Sequence, residues 1–409
     1  MKKGILICCL ALSFLIVLSV NAMAQGGRIQ IGKTKVIPAI SLQGVYDDNI
    51  YLSAGQEEED WITHVMPAVG LNYAFPERGS VTLGYNGDLA YYGDNDDNDW
   101  QTHKGMLGLD YEAPGGLFLG VDEVYADAED PYGSDEQYKL GVPKTERWNN
   151  DLKTAIGYQF YDRFKVMGYY NFYKQDYEKE EDYAQDYDDN EFGVGAQMRF
   201  LPKTWGFIRY HYGERDYFTN KPAENVTEAT DSDFDWSRLN LGLSWDAGAK
   251  LTGELNFGYQ WKNYANATDP AGDRYDDKDT WIAATAVSFT ATPTTTLSLD
   301  IARALRESAS NTNEFYEDTG IGLGLTQKLL TKFSLGLNGR YSKNDYNRAP
   351  VTGGAKKEQD NYLASVRLDY PIQDWLKAGV SYTYSKKNSN YSEDEFTDNQ
   401  FMISLSGVY

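Results

Sequence analysis

Leu251-Thr252-Gly253-Glu254-Leu255-Asn256-Phe257-Gly258-Tyr259-Gln260-Trp261-Lys262 sets Leu251, Leu255, Phe257, Tyr259 and Trp261 against Thr252, Glu254, Asn256, Gly258, Gln260 and Lys262 at a strict period of two. A strand turns successive side chains to opposite faces, so this segment has one apolar and one polar face; a helical period of 3.6 would scramble the pattern. The same alternation puts Leu239, Leu241, Leu243 and Trp245 opposite Arg238, Asn240, Ser244 and Asp246. It puts Phe333, Leu335, Leu337 and Tyr341 opposite Ser334, Asn338, Arg340 and Ser342, and Phe192, Val194, Ala196, Met198 and Phe200 opposite Gly193, Gly195, Gln197 and Arg199. Around Val166 to Tyr173 both faces carry aromatics, which implies either an internal element packed against them or a shifted register.

Working outward, strands are predicted near 34–46, 61–73, 80–92, 100–111, 117–127, 147–159, 164–175, 190–200, 204–216, 234–246, 250–263, 280–290, 295–306, 314–328, 333–344, 360–370, 376–386 and 400–409. Two kinds of connection alternate between them. Phe75-Pro76-Glu77-Arg78-Gly79, Ala113-Pro114-Gly115-Gly116, Tyr161-Asp162-Arg163, Leu201-Pro202-Lys203, Asp246-Ala247-Gly248-Ala249 and Thr292-Pro293-Thr294 carry the Pro, Gly and Asp chemistry of tight turns. Long polar stretches at 127–146, 177–189, 217–232, 264–279, 345–358 and 387–399 separate the others. Short turns on one side and long loops on the other are the layout of a transmembrane antiparallel up-and-down β-barrel, here of about eighteen strands within a range of about 16 to 20. The expectation is short periplasmic turns, long acidic extracellular loops and an all-β fold closed into a ring, because an open edge in lipid would strand unpaired backbone groups.

Composition agrees. The chain holds 33 Tyr, 9 Trp and 17 Phe, yet its mean hydropathy is −0.58. Beyond the N-terminus no long apolar run appears, which excludes helical membrane spans. Tyr and Trp gather where strands meet loops (Tyr91, Tyr92, Trp148, Tyr210, Tyr212, Tyr259, Trp261, Tyr382, Tyr384), the depth that amphipathic rings prefer in a bilayer.

Lys2 and Lys3, the apolar run Ile5 to Val20 and Ala22-Met23-Ala24 read as a cleaved signal peptide, residues 1–24, with the barrel over 25–409 and Gln25 as first mature residue. A retained helical anchor is the rival reading of that run. Cys8 and Cys9 lie inside the segment, so the mature chain has neither disulfide nor thiolate chemistry, and no cysteine stands at the junction for lipidation. The formal charge of −23, made more negative by losing the two lysines, excludes nucleic acid as a partner and favours surface cations. These features place the chain in the outer membrane of a Gram-negative bacterium, with lipid and the barrel-assembly machinery as partners. Phe401, Ile403, Leu405 and Tyr409 share one face of the last segment, and the terminal aromatic marks them as the assembly signal.

Near the mature N-terminus stand Tyr46-Asp47-Asp48-Asn49-Ile50-Tyr51 and Asp60-Trp61-Ile62-Thr63-His64-Val65-Met66-Pro67. These two motifs resemble the outer-membrane β-barrel porin family of the porin 2 type, associated with exopolysaccharide export. The resemblance implies a barrel, and it alone suggests polysaccharide as a partner.

For chemistry the inventory is thin. His64, His103 and His211 are isolated, so no nucleophile–base set is visible, and the expectation is neither an enzyme nor a cofactor-binding protein. Asp94-Asn95-Asp96-Asp97-Asn98-Asp99 lacks the Gly at position six (Asp99) and the Glu at position twelve (Gly105) of an EF-hand loop. There, at Glu178 to Asp182 and at Asp273 to Asp279, loose cation binding competes with a simple solvated loop. Arg199, Arg209, Arg238, Glu254, Lys262, Asp300, Arg340, Arg367 and Asp369 fall on polar faces and are the candidate pore lining. Either they orient permeating solutes or they satisfy one another around a closed lumen. The expected function is a channel for polar solutes; the alternative is a non-conducting structural or adhesive barrel with cation-binding acidic loops.

Overall fold

The computed structural model describes residues 29–76, 78–131, 144–179, 185–217, 233–246, 250–266, 275–307, 315–330, 332–347 and 354–409. The predicted signal peptide 1–24, its cleavage at Gln25 and parts of the long connections lie outside the described residues.

Nearly every described residue belongs to a strand or to the turn beside one. The first ten strands are β1 Ile29–Ile31, β2 Thr34–Asp47, β3 Asp60–Ala74, β4 Gly79–Tyr92, β5 Trp100–Glu112, β6 Leu117–Pro131, β7 Lys144–Phe160, β8 Phe164–Tyr177, β9 Tyr187–Leu201 and β10 Thr204–Tyr217. The rest are β11 Phe234–Trp245, β12 Leu251–Tyr264, β13 Lys278–Thr292, β14 Thr295–Glu307, β15 Phe315–Leu329, β16 Phe333–Tyr346, β17 Glu358–Gln373, β18 Leu376–Ser389 and β19 Phe396–Val408. Each strand from β2 onward pairs antiparallel with the next, and β19 returns to β2 from Gln400 opposite Asp47 to Val408 opposite Ala39. The result is a closed ring of eighteen strands, β2 to β19. Closure leaves no unpaired edge facing lipid, the only way a sheet can cross a bilayer.

All eighteen predicted strands are present. Their ends run further than alternation alone suggests: β7 begins at Lys144, β9 at Tyr187 and β19 at Phe396. Segments such as Asp188-Asp189-Asn190 are polar on both faces, so the ladder continues above the lipid where hydrophobic period no longer marks it. No alternation marks β1, which is three residues long. It turns at Gly32, which adopts φ 64°, and pairs Ile29 with Val36 and Ile31 with Thr34. It covers the stretch of β2 below the point where β19 ends.

Exposure separates the two faces. Ile208, Tyr210 and Tyr212 on β10, Ile321 and Leu323 on β15, and Phe401, Ile403 and Leu405 on β19 are exposed large apolar side chains of one parity, the lipid-facing parity. On β8 the exposed Phe164 and Val166 face outward, and Tyr169, Tyr173 and Tyr177 face inward. The aromatics on the inner face of β8 therefore reflect wall packing rather than a register slip. Tyr169 stacks on His211 of β10 at 5.3 Å between ring centroids, and Tyr173 lies 5.7 Å from Tyr187 of β9.

Candidate channel lumen

The parity that sends leucines and aromatics outward sends all nine predicted lining residues inward. The structure brings them together mainly as pairs. Arg209 of β10 grips Glu254 of β12 with two parallel N–H donations, Nη1 to Oε1 at 2.9 Å and Nη2 to Oε2 at 2.8 Å, the fork geometry that suits guanidinium and carboxylate. Arg340 of β16 pairs with Asp300 of β14, and Arg367 donates from Nε to Asp369 at 2.9 Å on β17 itself. Arg199 of β9 reaches Asp246 at 3.2 Å, Arg238 of β11 reaches Glu191 of β9 at 2.9 Å, and Lys262 of β12 meets Glu307 of β14.

Three of those partners, Asp246, Glu191 and Glu307, were not among the predicted lining residues, nor was the pair Arg215–Asp189 at 2.5 Å. Each acid lies one or two strands away from its cation; Asp189, Glu191 and Asp246 share the polar parity, Glu307 falls on the opposite parity at the end of β14, and pairing across a barrel needs the register, which alternation does not supply. Several cations also lie over rings, with Arg209 3.9 Å from the Phe207 centroid, Arg238 4.2 Å from Trp236, and Lys262 3.9 Å from Phe234. A ring face carries negative charge density, so each stack adds attraction where the cation is partly dehydrated.

Pairs that skip a strand need room on the strand between them, and glycine supplies it. Gly320 and Gly322 of β15 turn inward between β14 and β16. A Cβ at Gly322 would sit 1.9 Å from Asp300 Oδ1, and one at Gly320 would sit 2.8 Å from Arg340 Nη2. These inward glycines leave a trough in which the Asp300 and Arg340 side chains lie against the wall.

Water reaches one arc of this wall more than another. Arg215 and Asp189 are 4% and 5% exposed, whereas Asp300 keeps 39%, Arg340 30% and Arg367 33%. The paired charges on β14, β16 and β17 thus face open solvent inside the ring.

At the extracellular end the first loop folds inward. Asp47 Oδ1 accepts the Asn49 N–H at 2.8 Å, an Asx turn that starts the first loop. Ile50 packs on Ile62 and Ala90, with Val45, Tyr51, Tyr92 and Trp100 around them, and Asn98 Nδ2 donates to the Tyr51 hydroxyl at 2.8 Å. Asp60 organises the next loop. Its carboxylate accepts N–H groups of Trp61 at 2.6 Å, Gly93 at 3.0 Å, Asp94 at 3.1 Å and Asn95 at 3.0 Å, plus Asn95 Nδ2 at 3.0 Å. Burial opposes ionisation there, but the donations from Asn95, Asp94 and Trp61 outweigh it and hold the Asp60 carboxyl below the usual carboxylate range. The Asp94–Asp99 stretch is therefore a hydrogen-bonded loop clamped by Asp60, and Asp99 Oδ1 itself accepts the Tyr92 N–H at 2.7 Å.

The three histidines stay apart. His64 pairs with Asp88 at 3.0 Å on the inner face, His211 with Glu191 at 2.8 Å, and His103 meets the Tyr85 hydroxyl at 2.8 Å on the outer face. None stands beside a Ser, Thr or Cys nucleophile in these contacts. Phe401, Ile403, Leu405 and Tyr409 are exposed, the first three lining the outer face of β19.

A closed ring of eighteen antiparallel strands, apolar outside and charged inside, defines a porin-like β-barrel of the Gram-negative outer membrane. The family model described as "Putative beta-barrel porin 2" matches residues 24–408, and the chain belongs to that family. No curated protein matches the chain. Among solved structures it is similar to the outer membrane protein OpdK of Pseudomonas aeruginosa, at 12% identity and a TM-score of 0.46, over 92% of this chain and 99% of that one. It is also similar to OccAB4 of Acinetobacter baumannii, at 11% identity and a TM-score of 0.47, over 92% and 99%. A third is OccK3 (OpdO) of Pseudomonas aeruginosa, at 13% and 0.44, over 91% and 96%.

Proposed function

We propose that the barrel is a passive channel for polar solutes, with a wall of paired charges as its selective surface. The observation that carries this reading is the exposure of Asp300, Arg340 and Arg367 inside a closed ring. Charges that only satisfied one another in a filled lumen would be dry. Mixed signs along the wall set up a transverse field that orients dipolar and zwitterionic solutes as they pass. Ile50 and Tyr51 pack against the inner-face residues Ile62 and Ala90, and the pairs of β9 to β11 lie buried along one side of the wall. Such a pore suits extended, hydroxyl-rich molecules, which exchange water hydrogen bonds for those of the wall. A secreted polysaccharide is the particular solute class that the family resemblance brings forward. With no hydrolytic step in this reading, movement follows a gradient or an export partner.

The test is solute uptake by liposomes holding the refolded barrel, with sugars of increasing chain length. Swelling that continues from monosaccharides to short linear oligosaccharides and stops for branched ones supports the reading. A folded barrel that admits none of them refutes it.

A further inference from the structure

The motif Asp47-Asp48-Asn49-Ile50-Tyr51 meets the far end of the chain at the seam where β19 closes on β2. Asp47, Asp48 and Asp398 each offer a carboxylate oxygen, and the three oxygens all lie within 4.8 Å of one another. Asp47 is 6% exposed and Asp398 3%.

The protein supplies only part of what these groups need. Gln400 Nε2 is shared between Asp47 Oδ2 at 2.9 Å and Asp398 Oδ2 at 3.2 Å, while Asp48 is held by the backbone and side-chain N–H groups of Asn399 at 2.7 and 2.8 Å. Asp398 Oδ1 is buried with no donor at all. Among the described residues no lysine or arginine forms an ion pair with any of the three. Buried carboxylates crowded without a counter-charge are costly, so either a proton or a cation stands between them. A proton could be shared by Asp47 and Asp398 only, whereas a cation also offsets the charge of Asp48, the third carboxylate of the cluster.

We infer that Asp47, Asp48 and Asp398 bind one calcium ion at the extracellular mouth, stapling the closing strand pair to the first loop. Calcium fits because it takes several oxygen ligands in irregular geometry, whereas magnesium demands a near-ideal octahedron. Asn49, fully buried beside the site, donates to Ser53 O at 3.0 Å and Thr397 O at 2.9 Å, so a bound ion would stiffen both the loop and the seam. The site lies apart from the charged wall, and the inference does not depend on what the channel carries.

The experiment is isothermal titration of the refolded, chelator-stripped barrel with calcium chloride and, separately, magnesium chloride, alongside the heat-modified gel shift with and without calcium. One calcium per barrel, weaker magnesium binding and a higher shift temperature with calcium are expected. Asp398→Asn and Asp48→Asn should each weaken calcium binding about tenfold or more, whereas Asp97→Asn in the exposed acidic loop should not. If Asp398→Asn fails to fold, Asp48→Asn and the wild-type titration still decide. The inference is overturned if the folded wild type binds no calcium, which means a shared proton fills the site. It is equally overturned if both seam variants bind as the wild type does, which places the ion on the acidic loops.

Discussion

Replacing Arg340 with glutamate changes the inner wall by two charges at a place ions can reach. In the wild type Arg340 and Asp300 neutralise each other, and both are about one-third exposed, so water screens them strongly. An ion about 5 Å from one unpaired charge feels about 0.8 kcal/mol in water, reduced to about 0.5 kcal/mol at 0.1 M salt. The variant leaves two unpaired carboxylates, so each cation gains about 1 kcal/mol and each anion loses about 1 kcal/mol. The cation-to-anion permeability ratio should then rise by up to about 30-fold. At 1 M salt the screening length falls to about 3 Å and the same change should shrink to about threefold. The assay is the reversal potential of single barrels in a planar bilayer under a potassium chloride gradient, at low and at high salt. A conducting variant whose reversal potential does not move at low salt refutes the placing of this pair on the permeation path.

Three further outcomes follow from other parts of the molecule. Asp60→Ala frees the N–H groups of Gly93, Asp94 and Asn95; charge-assisted bonds of this kind are worth about 1.5–3 kcal/mol each, less where water replaces them, so limited proteolysis should become faster within 93–99. Because the folded Asp60 carboxyl titrates below its unfolded value, its contribution is full above the unfolded value of about 4 and is lost as pH falls through the folded one; the wild-type loop should approach the variant's cleavage rate only in that acid window. Deleting Tyr409 should cut the amount of barrel reaching the outer membrane several-fold while detergent refolding of the purified chain is little changed; equal losses in both would make the residue structural only. Intact-mass measurement of the outer-membrane form should give a chain beginning at Gln25, and a mass retaining Met1 to Ala24 would favour the anchored reading.

The barrel was legible because alternation is enforced by two solvents. Where lipid lies on one side and water on the other, as at Leu251 to Lys262, every residue declares its face, and the strand positions follow. Legibility ended where that contrast ended. Lys144 to Glu146 and Asp188 to Asn190 are paired strand that is polar on both faces, and β1 is too short to show a period. The inward charges were readable one residue at a time, but their partners were not. Arg238 meets Glu191, some 47 residues earlier, only because β9, β10 and β11 are in register. Asp398 is an unremarkable loop-side acid in the sequence and becomes part of a cluster only when the last strand closes on the first. At Asp94–Asp99, where loose cation binding competed with a solvated loop in the sequence, Asp99 helps to shape its own loop, and a quieter motif near the N-terminus holds the clustered carboxylates.

Water and ions should pass through the ring beside Asp300, Arg340 and Arg367. Single-channel recording of the refolded chain in a planar bilayer, after its heat-modified migration has confirmed folding, tests it most directly. Discrete ohmic steps whose size scales with bulk salt conductivity are the predicted result. A folded barrel that inserts and stays silent at every voltage would contradict an open lumen.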